Sequence, residues 1–191
     1  MLLAIGMTMV IATGGVDLSV GAVIAISACV ATVLINPALA TKLVTSDKLV
    51  ENVTNTPMWL LILAALAASI ACGLWNGILV SRFNIQPMVG TLVLMVAGRG
   101  IAQLITNGQI LTVYYKPYYF IGNGYLLGLP FPLYITAVVY LFAWLMTRRT
   151  AIGLFVESVG INSRSSFLSG VNEKNIKLMA STFSGFCAGV A

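Results

Sequence analysis

Long apolar runs, separated by short polar stretches, dominate this sequence. The clearest run covers residues 58–80 and contains no charged side chain. As a helix rising about 1.5 Å per residue, it would be about 35 Å long, enough to cross a bilayer core of about 30 Å. Backbone groups in hydrocarbon must be hydrogen-bonded internally, and these runs lack the alternation of β-barrel strands. The pattern therefore predicts an all-α, polytopic bundle of transmembrane helices.

Further apolar runs bring the predicted total to about five to six spans. Pro87 suits the first turn of a new helix, because its missing N–H costs nothing there. The predicted segments are an apolar piece at 1–13, a break at 14–19, apolar runs at 18–35, 58–80, 87–106 and 131–147, loops at 41–57 and 107–130, and an apolar stretch at 178–191. The last stretch is too short to span and ends without a cap. We therefore expect the chain to be incomplete at its C-terminus, and also at its N-terminus.

Charge supports the membrane interpretation and predicts an orientation. Only 8% of the residues are charged, against about a quarter in soluble proteins. Residues 148–177 hold five of the ten Lys and Arg residues, so the positive-inside rule places this segment in the cytoplasm. Counting spans from there puts Arg82 inside and the loops at 41–57 and 107–130 outside.

The break reads Gly14-Gly15-Val16-Asp17-Leu18-Ser19. Glycines permit unusual backbone angles, and the side chains of Asp17 and Ser19 could both cap the following helix. Two interpretations stay open. The segment is either a simple capped turn between helices, or a discontinuous helix whose exposed backbone lines a polar pathway.

A second polar feature lies within the span at 87–106. Arg99 is flanked by glycines, and Gln103 lies one turn later on the same face. A charge near the middle of a span costs at least about 2.5–3.5 kcal/mol, so Arg99 must pair, reach the interface or face a cavity. A pathway role and a structural ion pair are both compatible with this position, and Asp17 is one conceivable partner.

Small residues suggest close helix packing at two places. Gly73 and Gly77 form one G-x-x-x-G pattern, and Gly185 and Gly189 form another. This spacing allows helix backbones to approach closely. We expect it to mark contacts between helices rather than a functional site.

The predicted cytoplasmic segment contains signals for one short helix. Asn162 is a good N-cap and Gly170 a good C′ residue, so about two turns fit between them. Phe167 and Leu168 would be exposed on that helix unless another molecule covers them. A short amphipathic helix on such a loop suggests docking onto a soluble partner, with a helix resting on the bilayer surface as the alternative.

Other kinds of site have little support. The sequence has no histidine, its three cysteines lie in separate apolar runs, and no Ser or Cys adjoins a plausible base. We therefore predict no catalytic residue, no metal site and no cofactor. The excess of basic residues forms no basic patch with a recognition motif, so we expect no nucleic-acid partner.

Three stretches resemble one protein family. They are GGVDLSVGAVIAI (14–26), WNGILVSRFNIQPMVGTLVLMVAGRGIA (75–102) and TAIGLFVESVGINSRSSFLSGVN (150–172). In this order they resemble the permeases of bacterial ATP-binding-cassette importers for monosaccharides, the ribose and galactofuranose class. Gly-Ile-Asn at 160–162, where many members have Gly-Gly-Asn, is closest to the galactofuranose type. Members of this family are longer, with more spans at both ends.

The resemblance implies partners and one coupling segment. Such a permease pairs with a second permease subunit, identical or related, and takes sugar from a periplasmic binding protein. A separate cytoplasmic ATPase grips the loop that here includes Gly160, Asn162 and Gly170. The family's Glu-Ala-Ala-x-x-x-Gly pattern falls on Arg164-Ser165-Ser166 and Gly170, so an arginine replaces the acid and serines replace both alanines. This difference leaves the polar contacts to the ATPase open.

The resemblance thus predicts a permease subunit that moves a monosaccharide through the lipid bilayer by alternating access and performs no covalent chemistry itself. A neutral sugar needs polar side chains along its path, and the candidates in or beside spans are Asp17, Asn76, Thr91, Arg99, Gln103 and Asn107. The alternative function is a secondary transporter or channel driven by an ion gradient. It would require intramembrane acids, for which Asp17 is the main candidate.

Overall fold

We describe a computed structural model covering residues 1–35, 57–106, 108, 116–126 and 128–191. Helices account for almost all of the regular structure in these residues. The helices are α1 (Leu2–Ala12), α2 (Val20–Ile35), α3 (Met58–Arg82), α4 (Pro87–Ile105), α5 (Lys116–Asn123), α6 (Phe131–Arg149), α7 (Ala151–Ile161), α8 (Ser163–Leu168) and α9 (Glu173–Val190). Two antiparallel two-residue strands, β1 (Tyr125–Leu126) and β2 (Leu129–Pro130), form a small hairpin before α6.

The predicted bundle of membrane helices is confirmed. Within the described ranges, α3, α4 and α6 are each long and apolar enough to cross a bilayer. The helices α1, α2 and α7 are apolar but shorter, with 11, 16 and 11 residues. Most of the large apolar side chains on α3, α4 and α6 face outward, as expected for helices surrounded by lipid.

The two G-x-x-x-G patterns pack against each other. A Cβ atom added to Gly73 of α3 would lie 2.8 Å from the Ser181 carbonyl oxygen and 3.1 Å from the Gly185 Cα of α9. A Cβ on Gly77 would lie 3.1 Å from the Leu178 Cα. The prediction that these glycines mark close helix packing is therefore confirmed, and α3 and α9 form the most extensive helix contact in the described bundle.

A second close contact joins α2 to α4. A Cβ on Gly98 would lie 3.0 Å from the Ala22 Cβ and 3.2 Å from the Ile26 Cδ1, so α2 approaches α4 at that glycine. Val23 of α2, Leu94 of α4 and a buried alanine of α9 form a small apolar cluster beside it. The helices α2, α3, α4 and α9 thus form one block around the start of α2.

A larger apolar cluster joins the other helices. Its buried members come from α1, α6, α7 and α9, and they are Met9, Val139, Ala143, Val156, Val159, Ile176, Phe183 and Cys187. Because α7 contributes Val156 and Val159, it is part of the bundle rather than a loose cytoplasmic loop. This cluster fixes the position of α8, which follows α7 directly.

Three elements differ from the sequence predictions. Helix α7 was not predicted, because its burial depends on distant helices. Its N-terminus does carry a local cap, since the Thr150 side chain accepts a hydrogen bond from the Ile152 N–H. Helix α9 begins at Glu173 rather than 178, where Asn172 caps it and an ion pair joins Glu173 to Lys177. The stretch predicted as a loop at 107–130 contains α5 and the hairpin in its described part. The predicted loop at 41–57 lies almost wholly outside the described residues.

Candidate functional site

The break between α1 and α2 begins with a well-formed helix end. Gly14 has φ +79°, its N–H donates to the Ile11 carbonyl at 2.9 Å, and the Gly15 N–H donates to the Val10 carbonyl at 3.1 Å. These two bonds define a Schellman motif, which requires a left-handed residue at the position of Gly14. Helix α1 therefore stops sharply, and residues 13–19 continue as non-helical backbone.

Asp17 is the centre of a buried hydrogen-bond network at this break. Only 6% of its surface is exposed, and its carboxyl group accepts bonds from the Ser19 N–H at 3.0 Å and the Ser19 hydroxyl at 2.6 Å. Its second oxygen accepts from the Ser184 hydroxyl of α9 at 2.8 Å. Asn76 of α3 extends the network by donating from Nδ2 to the Ser19 Oγ at 2.7 Å. One carboxyl group thus holds the break against two other helices.

Neither side chain makes the predicted cap bond to the first turn of α2. Asp17 accepts the N–H of Ser19, two residues on, which forms an Asx turn directly before the helix. The Ser19 hydroxyl donates to Asp17, and its oxygen accepts from the Asn76 Nδ2 rather than from an N–H group of α2. Ser19 contributes its carbonyl to the first turn of α2, where it accepts from the N–H groups of Ala22 and Val23.

The network lies well inside the bundle. Asn76 is six residues before the end of α3 at Arg82, or about 9 Å along the helix axis. Ser184 is eleven residues into α9, or about 16 Å from its start at Glu173. The break is therefore recessed among helices rather than exposed as a surface turn. One acceptor there, the Asn76 Oδ1, is buried and has no hydrogen-bond partner among the described residues.

The other pathway candidates lie in different surroundings. Thr91 is buried near the break, where its hydroxyl donates to the Pro87 carbonyl at 2.9 Å and approaches the Val16 carbonyl at 3.4 Å. Arg99 and Gln103 are exposed on the outer side of α4. The conceivable ion pair between Arg99 and Asp17 is wrong, because the Asp17 carboxyl group binds serine hydroxyls instead. The ion pair found among the described residues joins two other side chains, both on α9. Asn107 lies outside the described residues.

The predicted short helix is present as α8. The Asn162 side chain accepts from the N–H groups of Arg164 and Ser165, both at 3.1 Å, and so caps the N-terminus. At the other end, Gly170 has φ +85°. Its N–H donates to the Phe167 carbonyl, and the Val171 N–H donates to the Ser166 carbonyl, both at 3.0 Å. This is a second Schellman motif, so the cap and the stop read from the sequence are both confirmed.

The surface of α8 is apolar and basic. Phe167 is 69% exposed and Leu168 is 82% exposed, while the Arg164 side chain is also exposed. Ser166 is buried, and its hydroxyl donates to the Asn162 carbonyl at 3.0 Å. A serine therefore fits at this buried position because the helix backbone accepts its hydroxyl hydrogen. Ser165 is exposed beside it.

Gly160 occupies a different position from the rest of the predicted coupling segment. It lies in the last turn of α7, where a Cβ would overlap the carbonyl oxygen of Ala12 and approach the Thr13 Cα to 3.7 Å. The end of α7 thus touches the end of α1 directly before the break. Gly160 was predicted to belong to the coupling segment, whereas its contact with α1 was not predicted.

Sequence reasoning missed Ser184 and gave Ser19 the wrong partner. Ser184 precedes Gly185 of a G-x-x-x-G pattern, and a hydroxyl on such a packing face is a weak signal for an interhelical hydrogen bond. Nothing in the sequence identifies Asp17 as its partner, 167 residues away.

Comparisons with known proteins agree with this architecture. Residues 1–191 match the family model described as the branched-chain amino acid transport system / permease component. The chain is 46% identical over 190 residues to the galactofuranose transporter permease protein YtfT of Escherichia coli (strain K12), covering 100% of this chain and 51% of that protein. It is 36% identical over 195 residues to the fructose import permease protein FruF of Bifidobacterium longum, covering 100% and 50%.

A third relative is named for a different sugar, ribose. The ribose import permease protein RbsC of Escherichia coli (strain K12) is 31% identical over 194 residues, covering 100% of this chain and 55% of that protein. The chain therefore spans about half the length of these curated relatives. No solved structure matches it. Because the family model covers every residue, this chain belongs to the membrane permease family described as the branched-chain amino acid transport system / permease component.

Proposed function

We propose that this chain is part of the permease subunit of an ATP-driven importer that carries a monosaccharide across the bacterial inner membrane. It works with a cytoplasmic ATPase, with a second permease subunit that is identical or related, and with a periplasmic sugar-binding protein. The permease does no covalent chemistry. ATP binding closes the ATPase, and α8 transmits that motion to the helices, which rock as rigid bodies between outward and inward access.

The observation that carries this proposal is the exposed surface of α8. Phe167 and Leu168 project from a helix that is fixed at both ends by a cap and a Schellman motif. Six residues make too short a helix to be stable alone, so its rigidity depends on these ends and on α7 and α9. These two exposed apolar side chains, with Arg164 beside them, suit a groove on a soluble protein. We expect that groove to have apolar walls and an acidic rim.

The substrate class rests on the relatives. Their names specify galactofuranose, fructose and ribose, while the family description names branched-chain amino acids. The individual relatives are more specific than the family description and favour a neutral monosaccharide here. Asp17, Asn76 and Thr91 remain the better pathway candidates, because they surround a recessed helix break. Arg99 and Gln103 are weaker candidates on an exposed helix face.

The test is uptake by proteoliposomes. The protein as encoded is reconstituted with the ATPase and sugar-binding protein encoded beside it, and radiolabelled ribose, fructose and galactofuranose uptake is measured with and without ATP. We expect uptake that requires all three components and ATP. Uptake by the permease alone, driven by a sodium or proton gradient, would instead establish the secondary transporter.

A matched pair of variants tests the role of α8. Phe167→Ala should weaken co-purification of the ATPase severalfold, because it removes an apolar anchor from the docking helix. Phe83→Ala removes a side chain with the same 69% exposure at the end of α3 and should leave co-purification unchanged. Equal ATPase binding by both variants would contradict the proposal.

A further inference from the structure

The helix α8 connects to the break between α1 and α2 through one backbone contact. Gly160 is two residues before the α8 cap at Asn162, and it lies so close to the Ala12 carbonyl oxygen that no Cβ fits between them. Because Ala12 is the last residue of α1, a displacement of the end of α7 toward α1 would press on the start of the break. Contacts between backbones cannot be relieved by side-chain rotation, so this one is stiff.

The chain between Ala12 and Asp17 can pass that displacement on. Its first turn is fixed by the two Schellman bonds at Gly14 and Gly15 and by the Thr13 hydroxyl, which donates to the Val10 carbonyl at 2.7 Å. A segment held in this way moves with the end of α1 instead of absorbing the motion. Asp17 then follows within five residues.

Asp17 connects the break to α9 and α3. Its bond to the Ser184 hydroxyl reaches α9, and the Ser19 hydroxyl beside it reaches Asn76 on α3. All four side chains are buried, which shields these bonds from bulk water and strengthens them. These helices also pack on each other through their glycines, so α3 and α9 respond together.

An open groove lies beside the contact. It has a volume of about 720 Å³ and lies between α1, α6 and α7, with Met9, Ala12, Arg148, Glu157 and Gly160 among its lining residues. Helix α7 is therefore not close-packed along this side among the described residues, which leaves it space to tilt while the Gly160–Ala12 contact is kept.

We propose that the Gly160–Ala12 contact and the Asp17–Ser184 bond form one path that carries motion of α8 to the helix break. This inference rests on the proposed function, because it concerns how ATP hydrolysis by the partner is converted into transport. Gly160 and Ser184 are positioning residues in this proposal, and neither is assigned to the sugar.

The decisive quantity is the number of ATP molecules hydrolysed for each sugar imported by the reconstituted complex. Gly160→Ala should raise this ratio on the order of 2- to 30-fold, the range expected for substitutions that alter coupling between distant sites. ATPase co-purification and ATP hydrolysis should persist, because α8 itself is unchanged. Gly100→Ala is the matched control, since Gly100 lies within a helix with nothing within 4 Å of an added Cβ.

Ser184→Ala tests the other end of the path without adding bulk. It should raise the same ratio, while Ser27→Ala should not, because Ser27 is buried in α2 and donates only to the Ile24 carbonyl of its own helix. The double variant of Gly160 and Ser184 provides the final test. Two substitutions on one path should be non-additive in the logarithm of the ratio, whereas independent distant sites add.

Three results would overturn the proposal. They are a wild-type ratio in Gly160→Ala, a wild-type ratio in Ser184→Ala, and strict additivity in the double variant. If Gly160→Ala does not assemble, the Ser184→Ala and Ser27→Ala pair decides alone. Failure of the proposed function is distinguishable, because the wild-type complex would then show no ATP-dependent uptake at all.

Discussion

Replacing Gly185 with alanine should force α3 and α9 apart, because the contact between them has no space for a methyl group. An added Cβ would lie 2.7 Å from the Ser69 carbonyl oxygen and 2.9 Å from the Gly73 Cα. Both neighbours are backbone atoms of α3, so neither can rotate away. Relief therefore requires a separation of roughly 0.5–1 Å, which forfeits a quarter to a half of each dispersion contact along the interface.

The expected cost follows from two opposing terms. Overpacking a tight contact costs about 1–3 kcal/mol, and rigid backbone neighbours place this site in the upper half of that range. Alanine returns about 1 kcal/mol relative to glycine within a helix. The net loss of stability should be about 1–2 kcal/mol.

Thermal unfolding in detergent micelles, followed by circular dichroism, measures this loss. Gly100→Ala is the control, because its added Cβ meets open space and should be neutral or stabilising by up to about 1 kcal/mol. The two variants should therefore differ by about 1–3 kcal/mol, or about 2–12 °C in Tm for a chain of this size. Equal Tm values would refute the argument that backbone contact, rather than helix propensity, dictates glycine at position 185.

Two further predictions concern the break and the coupling helix. Gly170→Val should leave insertion and folding intact but lower uptake severalfold, because a β-branched residue is strained at φ +85°. Gly170→Asn should retain most uptake, because asparagine tolerates the left-handed conformation. Equal uptake by the two variants would contradict the role of the left-handed cap. Asp17→Ala should destabilise the fold by about 1–3 kcal/mol, because it leaves the buried Ser19 N–H and the Ser19 and Ser184 hydroxyls without their acceptor, as a lowered Tm would reveal. Arg99→Gln should change stability by less than about 0.5 kcal/mol, since Arg99 is exposed. An equal loss of stability in the Asp17 and Arg99 variants would contradict the importance of the Asp17 network.

Local chemistry made several elements predictable from the sequence. Pro87 begins α4, Asn162 caps α8 and Gly170 ends it, because each acts on backbone groups within a few residues. The long apolar spans were equally clear, since their length is set by the bilayer. Such features depend on neighbours along the chain, and a single sequence contains that information.

Contacts between distant segments were not predictable in the same way. The bond from Asn76 to Ser19 joins residues 57 positions apart, and no pattern in either segment identifies the other. Helix α7 was missed for a related reason, because its Val156 and Val159 are buried by α1 and α9 rather than by local contacts. The glycine patterns correctly indicated close packing, yet they did not identify each other as partners. These contacts depend on how helices assemble after each has formed.

The bond between Asp17 and Ser184 has a consequence for synthesis of the chain. The two residues are separated by 167 positions, so the ribosome adds Ser184 about 10–30 s after Asp17 at a rate of about 5–20 residues per second. During that interval Asp17 can bind only groups on segments already made, such as the Ser19 N–H and hydroxyl. We therefore expect the bond that ties the break to α9 to form after the other described helices have been synthesised.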